Sequence, residues 1–379
     1  MFSIDNFEVY IDNTDISAMI TSMSLYESIH GNLKGTIHIE DKLNFFELFF
    51  RGVAQTSVRI RYSYFNVPIE IMLYADGVTD QVINKQGKSY NVQLVSINNL
   101  NEATARICNS YSGTSNDIIS AIWIETHGPN NVLILDSETT SKGKYIIPNI
   151  SAWAAMRNIV NTAHDKNNTG MFLYQRLADH GQARFTSIYD MVHNKFLSAH
   201  YDNFQIHSSE IDITTSTAVS GTIGSTTDFS MPEYNIDFIK KLSGGMWGQK
   251  ITEISLDETQ NKVYSPMEHT DIEIIKFKLS NNLYDTAISL FSPETAVSEE
   301  IIKNMKYRLF NTTLMASNVV AIPGVGCGMI ISVDSGGGLI SVSKADGNYL
   351  IANINHRYIM EDGEMKYSQN IGLVREGTQ

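Results

Sequence analysis

Apolar and polar residues alternate along most of this chain, which is the period-two pattern of half-buried β-strands. The clearest example is the last sixty or so residues, Ala316 to Arg375, which are predicted to form a strand, a Gly-rich corner, a second strand and a long hairpin. A fainter echo of that hairpin lies at residues 76–97. Each hairpin has a glycine in a polar turn and a tyrosine in its return strand: Gly87 with Tyr90, and Gly363 with Tyr367. The repetition predicts two copies of one antiparallel β-barrel.

Residues 1–105 are predicted to form the first barrel, from six or seven short strands around one short helix. Asp41 is expected to cap that helix, in the segment KLNFFELFF. Pro68 is expected in a turn between two strands, because its fixed φ suits a turn. The apolar residues that mark the strand faces are Phe7, Val9, Ile11, Val58, Ile60, Tyr62, Tyr64, Ile69, Ile71 and Leu73.

Residues 106–205 change character and predict an α+β middle module. One helix is expected to begin at Ser115 and to end before Gly128. A second helix, capped by Ser151, follows from apolar residues at spacings of three and four. A strand is predicted for MFLYQ, residues 171–175.

Residues 206–240 and 308–379 are predicted to form the second barrel, with an inserted β/α segment at 241–307. Within them, the Ser-, Thr- and Gly-rich residues 214–230 predict a loop or linker. Ile272, Ile274 and Phe277 predict a strand. A long helix is expected from about Pro293 to Leu314, because acidic residues lie near its start and basic ones later, which suits the helix dipole.

Composition narrows the class of protein. The chain has 379 residues, 42% of them hydrophobic, which favours a globular protein of several domains. The fold class expected is therefore mainly β, with two similar barrels and smaller α+β modules. A formal net charge of −13 argues against a groove that holds nucleic acid by its phosphates. The acidic charge is compatible with the lining of a channel through which nucleic acid passes without binding.

The chain lacks an 18-residue apolar run and a signal-peptide pattern at its first residues, so synthesis in a cytoplasm is expected. Its two cysteines, Cys108 and Cys327, belong to no metal-ligand motif and are expected to be buried free thiols.

Candidate chemistry is sparse. The segment GVGCG, residues 324–328, resembles part of a dinucleotide fingerprint, but a strand is predicted after it where the fingerprint needs a helix. A corner between strands is the favoured interpretation. His200 and His207 are seven residues apart, which on a strand places their rings on opposite faces and disfavours a metal site. Neither HExxH nor GxSxG occurs. We therefore expect no catalytic, cofactor-binding or metal residues and no enzymatic activity.

Two pairs of residues are candidates for contacts with other proteins. Trp153 and Met156 lie on the second helix and could form a docking face, although packing on the module's own strand is the favoured interpretation. Arg59 and Arg61 alternate with apolar residues and are interpreted as a solvated or subunit-facing row.

Several stretches together carry a resemblance to a known family. Residues 20–41 resemble a first-barrel hairpin, residues 82–102 the hairpin that closes that barrel, and residues 145–163 a proline followed by a capped helix. The C-terminal residues that carry the likeness are Pro323, Gly326, Gly328, Tyr349, Leu350, His356, Gly363, Tyr367 and Leu373. This order of elements resembles the central hub proteins of T-even phage baseplates, the late-control proteins and the N-terminal part of type VI secretion spike proteins.

The resemblance implies a structural baseplate hub of a contractile phage tail, located in the virion. It implies a homotrimer whose two barrels per chain form a pseudo-six-fold ring, joining a hexameric tail tube or tube-initiator protein to a trimeric spike. Baseplate wedge proteins would be further partners, and DNA would pass through the lumen without specific binding. The alternatives are a cell-wall hydrolase and a glycan-binding adhesin of the tail.

Overall fold

The computed structural model describes residues 2–50, 55–64, 67–84, 87–140, 142–167, 169–193, 205–208, 222–226, 228–229, 233–234, 250–255, 262–264, 273–278, 306, 309–310, 312–321, 325–334 and 347–375. This part of the chain is mainly β, with its helices concentrated between two β units, which confirms the predicted fold class. No helix among these residues has the length and apolar character needed to cross a bilayer.

The first β unit surrounds a core of alternating apolar side chains. A 3-10 turn at Ser17–Met19 and one short helix, α1 (Phe46–Phe49), accompany its strands. The N-cap position of α1 is Phe45 and not Asp41 as predicted, but the Asp41 carboxylate accepts hydrogen bonds from the backbone N–H groups of Phe45 and Phe46 at the start of the helix. The strands are β1 (Phe2–Ser3), β2 (Asp5–Ile11), β3 (Thr14–Asp15), β4 (Ile20–Ser28), β5 (Gly31–Asp41), β6 (Ser57–Tyr64), β7 (Val67–Asn84) and β8 (Gly87–Val95).

The middle module has its own core, to which two of its four helices and its two small sheets contribute. Ser151 caps the helix at Ala152–Thr162, as expected. The earlier helix, Ser115–His127, is capped by Thr114, in a capping box with Asp117. Gly128 ends that earlier helix at a φ of 80°. The elements are α2 (Ile97–Thr104), β9 (Arg106–Thr114), α3 (Ser115–His127), β10 (Leu133–Leu135), β11 (Lys142–Ser151), α4 (Ala152–Thr162), β12 (Met171–Gln175), β13 (Ala183–Ser187) and α5 (Ile188–Val192).

The second β unit contains a small three-stranded sheet as an insertion, with strand order β19-β18-β20. Ile274 and Phe277 lie in β20 as predicted, and Ile272 lies outside the described residues. The strands are β14 (Gln205–Ser208), β15 (Thr222–Thr226), β16 (Asp228–Phe229), β17 (Glu233–Tyr234), β18 (Lys250–Ser255), β19 (Lys262–Tyr264), β20 (Glu273–Lys278), β21 (Thr312–Ala321), β22 (Ile330–Asp334), β23 (Gly347–Glu361) and β24 (Glu364–Arg375).

The main strands of the two β units follow one order. In the first unit neighbours run β4-β5-β8-β7-β6-β2, and in the second they run β15-β21-β24-β23-β22-β14. Numbered along the chain within each unit, both orders are 2-3-6-5-4-1. The strands of the second unit close into a ring, because β14 pairs with β15 as well as with β22. Both of these pairings are parallel, which corrects the expectation of a wholly antiparallel barrel. The predicted duplication is thus present in the topology.

The C-terminal hairpin, β23–β24, belongs to both β units. Near its base β23 pairs with β22, and further along it pairs with β4 of the first unit, from Asn353 to Ile359. Tyr358 and Tyr367 are buried in the first core, whereas Leu350 and Leu373 are buried in the second. The predicted division of the chain at residues 105, 205, 240 and 307 stays a prediction. The hairpin of the second unit also pairs with the first unit, through β23 and β4.

Three local predictions need correction. The predicted linker at 214–230 contains β15 and β16, because both segments pair with β21, a contact that the local sequence does not show. The predicted helix at 293–314 ends too late, since Thr312–Leu314 lie in β21. Lys306 and Leu309 are helical, and most of the rest lies outside the described residues. Pro68 lies in β7, opposite Ser63, rather than in a turn.

Candidate functional site

One buried carboxylate, Glu27 of β4, contacts both β units and the middle module. Its Oε2 accepts a hydrogen bond from the Leu177 N–H of the middle module at 2.7 Å. Its Oε1 accepts one from the Cys327 N–H of the second β unit at 2.9 Å. Nε2 of His356, on β23, lies 3.9 Å from Oε1. One fully buried side chain therefore joins three parts of the chain through backbone donors that would otherwise be unpaired.

An arginine–aspartate network extends from this junction into the middle module. Asp179 accepts hydrogen bonds from Nε of Arg176 at 2.6 Å and from Nη2 of Arg184 at 3.2 Å. Arg184 also donates to both carboxylate oxygens of Asp136, at 2.7 and 2.9 Å. Burial alone would raise the pKa of Asp179, but its two arginine partners outweigh burial and lower that pKa to about 2. Asp179 is ionised and both acids are engaged with arginine, which suits a structural role.

The outer face of the first β unit carries two cross-strand rows, here called the outer strip. Arg61 donates to Glu70 at 2.9 Å, and the Arg59 guanidinium lies 4.7 Å from the centre of the Tyr10 ring. The arginines are therefore paired on a half-exposed surface, so the predicted row exists, and its interpretation as a subunit-facing surface stays a prediction. The strip comprises Glu8, Arg61 and Glu70 in one row, and Tyr10, Arg59 and Met72 in the other.

Large apolar side chains are exposed at one end of the first β unit. The exposed fraction is 76% for Ile83, 55% for Val82 and 72% for Leu43. Val82 and Ile83 lie just before the last residue of β7, Asn84, which pairs with Gly87. The backbone of Asp41 and Lys42 approaches Gly87, so Leu43 lies at this end of the unit as well. We call these three residues the apolar tip. Three large apolar side chains exposed at one end of the unit make this end a candidate surface for contact with another protein.

The residues singled out in the sequence do not converge on one site. Met156 is fully buried in the middle core, as the favoured interpretation has it, whereas Trp153 is only partly buried. His207 lies in β14 and His200 falls outside the described residues. Cys327 is buried but Cys108 is exposed, so the expectation of two buried thiols is wrong for Cys108.

The Gly-rich corner precedes a strand. Gly328 has a φ of 82°, and a Cβ at this position would overlap the Tyr174 hydroxyl. The position therefore needs glycine for both backbone conformation and space. This geometry supports the interpretation of GVGCG as a corner, and β22 follows it instead of the helix that a dinucleotide site would need. No group of three metal-ligating side chains occurs among the residues that the structure describes.

Sequence comparison finds no matching family model and no matching curated protein. Solved structures do match over nearly the whole chain. A tail protein from Neisseria meningitidis has a TM-score of 0.60 at 10% identity, covering 99% of this chain and 98% of that one. A 43 kDa tail protein of prophage MuSo2 from Shewanella oneidensis has a TM-score of 0.60 at 10% identity, covering 98% and 99%.

A third structure extends the likeness to secretion. It is a component of the type VI secretion system of E. coli that is itself structurally similar to the T4 bacteriophage tail proteins gp27 and gp5. Its TM-score is 0.54 at 9% identity, covering 97% of this chain and 77% of that one. At these identities the matches show a shared fold. The resemblance predicted from the sequence is thereby confirmed at the level of fold.

Proposed function

We propose that this chain is a structural hub of a contractile phage tail baseplate. The observation that carries the proposal is the presence, in one chain, of two β units with the same strand order, joined by a shared hairpin. The fold shared with tail proteins supports it. In this proposal the chain acts by geometry rather than chemistry, which the engagement of Glu27 and Asp179 in structural contacts supports.

The duplication gives a reason for trimeric assembly. Closed rings place like surfaces at like angles. Three chains with two similar units each present six similar units to a hexameric tail tube or tube-initiator protein, while the assembly keeps three-fold symmetry for a trimeric spike. We further propose that baseplate wedge proteins contact the remaining surface and that the chain is located in the virion tail. A chain with a net charge of −13 would let DNA pass through the lumen without holding it.

The apolar tip and the outer strip are the surfaces that we assign to contacts within this assembly. Covering three exposed apolar side chains in a ring removes them from water, and each contributes of the order of 1 kcal/mol to association. The outer strip carries both signs of charge at fixed cross-strand positions, which favours one register between neighbours.

The test is the mass and shape of the purified full-length chain, alone and mixed with tail tube and spike proteins from the same tail. We expect native mass spectrometry to give about three times the chain mass of 42.4 kDa, and electron microscopy to show a six-lobed ring. Ile83→Asp should weaken trimerisation. Ile124→Asp, at a 53% exposed isoleucine of α3, should leave it unchanged. A chain that stays monomeric with both partners present, and that degrades a cell-wall suspension, would refute the hub and favour the hydrolase.

A further inference from the structure

An open groove of about 690 Å³ lies between the β4–β5 hairpin and the helices α2 and α4. Tyr26 and Trp153 contribute aromatic side chains to its lining, and Gly31 lies beside Trp153. Tyr26 is 42% exposed, and Trp153 is partly buried. This volume lies within the range of sites that bind small molecules. Neither the two β cores nor the assembly surfaces assigned above make use of the groove.

The polar lining of the groove has hydrogen-bonding capacity to spare. The side chains of Tyr26, Lys34, Asn99 and Trp153 make no hydrogen bond with any other residue that the structure describes. Glu102, which is 2% exposed, accepts from Asn32 through Oε2 at 2.7 Å. Its Oε1 is buried too, has no hydrogen-bond donor within the described part of the chain and lies 3.6 Å from the buried Nε2 of His127, so a ligand would meet the other four side chains and not this carboxylate. Donors and acceptors are therefore both present and unused.

The charges in the lining balance. Lys34 contributes a positive group and Glu102 a negative one, and the other polar lining groups are neutral hydroxyls, amides and rings. A strongly anionic or cationic ligand would meet one opposed charge for each favourable one. A neutral ligand with many hydroxyl groups can donate to the hydroxyl oxygen of Tyr26 and the amide oxygen of Asn99, and it can accept from the Lys34 amine and the Asn99 amide N–H groups.

We propose that this groove binds a neutral oligosaccharide. A pyranose ring has one face of C–H groups that packs on an aromatic ring, for which Tyr26 and Trp153 are placed, and an edge of hydroxyls for the polar lining. The site goes beyond the hub function and does not depend on it, because the groove lies within one chain. It gives the chain a means of recognising sugar.

Two other occupants fit less well. A proline-rich peptide also binds in aromatic-lined grooves, but such grooves offer few charged groups, and this lining has a lysine and a glutamate. Single-stranded nucleic acid stacks on aromatic rings as well, yet its binding needs a basic groove, and the single lysine here is offset by Glu102. Both remain outcomes of the test.

The full-length chain is titrated with chitotriose, cellotriose and maltotriose, and binding is measured by calorimetry and by saturation-transfer NMR. We expect saturable binding of at least one trisaccharide, unchanged from low salt to about 0.5 M salt because a neutral ligand is not screened. Tyr26→Ala should lower the affinity about tenfold, the loss of one aromatic contact. Trp153→Ala should lower it by at least as much. Tyr10→Ala is the matched control, since Tyr10 lies on the outer strip and should leave binding unchanged.

Tyr26→Ala keeps the test valid even where Trp153→Ala disturbs folding, because Tyr26 is the more exposed of the two. The proposal is overturned by the absence of saturable binding of all three sugars. It is equally overturned by binding that Tyr26→Ala leaves intact in a folded chain. Binding that occurs only with a proline-rich peptide or an oligonucleotide, and that Tyr26→Ala abolishes, would assign the groove to that ligand instead. The oligomeric state measured in parallel reports on the hub proposal separately.

Discussion

Replacing Glu27 by glutamine tests whether one carboxylate holds three parts of the chain together. Both oxygens of Glu27 accept backbone hydrogen bonds, from Leu177 N–H and from Cys327 N–H. Glutamine has one carbonyl oxygen, so its NH₂ group must face one of the two buried N–H donors. A buried donor left unpaired costs about 1–3 kcal/mol, and each hydrogen bond to a charged acceptor contributes about 1.5–3 kcal/mol. We therefore expect Glu27→Gln to cost about 2–4 kcal/mol.

Amide hydrogen exchange measures this loss where it occurs. A cost of 2 kcal/mol corresponds to about thirtyfold faster exchange if the amides exchange by opening of the junction. The amides of Leu177 and Cys327 should show it together, although they lie on different parts of the chain. Glu70→Gln is the matched control: Glu70 pairs with Arg61 on the half-exposed outer strip, where an ion pair contributes about 0–1 kcal/mol. Equal, small effects of both substitutions would refute the assignment of Glu27 as the central contact.

Three further predictions concern the same network, the thiols and the shared hairpin. The pKa of Asp179 is about 2 in the folded chain against an ordinary 3.8, so its contribution to stability is complete above pH about 4 and is lost as the pH falls towards 2. Asp179→Asn lacks this contribution, so its acid unfolding, followed by circular dichroism, should start at a higher pH than that of wild type, and the difference in stability between the two should shrink as the pH falls from about 4 towards 2. A maleimide should label Cys108 in the folded chain but Cys327 only on unfolding, because burial removes access and raises the pKa of its thiol; labelling of both at equal rates would contradict the structure. Tyr358→Phe removes the buried hydrogen bond from the Tyr358 hydroxyl to the Tyr62 hydroxyl and should lower the free energy of unfolding by about 1 kcal/mol. Urea denaturation measures this loss as a lower midpoint, and an unchanged midpoint would mean that the hydrogen bond contributes no net stability.

The sequence carries the duplication because the two hairpins need similar residues at similar places. Gly87 and Gly363 both have positive φ, at 144° and 81°, in the turns of β7–β8 and β23–β24. Tyr90 and Tyr367 are both buried on the return strands. Turn chemistry and alternation are local signals, so they could be found without coordinates. The common strand order depends on contacts between distant strands, and the hairpin echo indicates it only indirectly.

Other features were beyond local patterns for identifiable reasons. Strand β15 is rich in Thr, Gly and Ser, and only its place beside β21 makes it a strand, so composition predicted a linker. Glu27 lies on the same side of β4 as Met23 and Leu25, and a charged residue at an apolar position of the alternation was a signal that could have been found. The groove depends on the approach of the β4–β5 hairpin to α4, which no spacing in the sequence reveals.

The shared hairpin has a consequence for the proposed ring. Two similar units can stand for two members of a six-fold ring only if the angle between them is fixed. Here β23 pairs with β22 near Leu350 and with β4 near Tyr358, so one continuous strand sets that angle. Side chains alternate between the faces of a strand, and a slip of one residue against β4 would take Tyr358 out of the first core. The register of β23 therefore sets both the packing of each unit and the geometry that trimeric assembly would need.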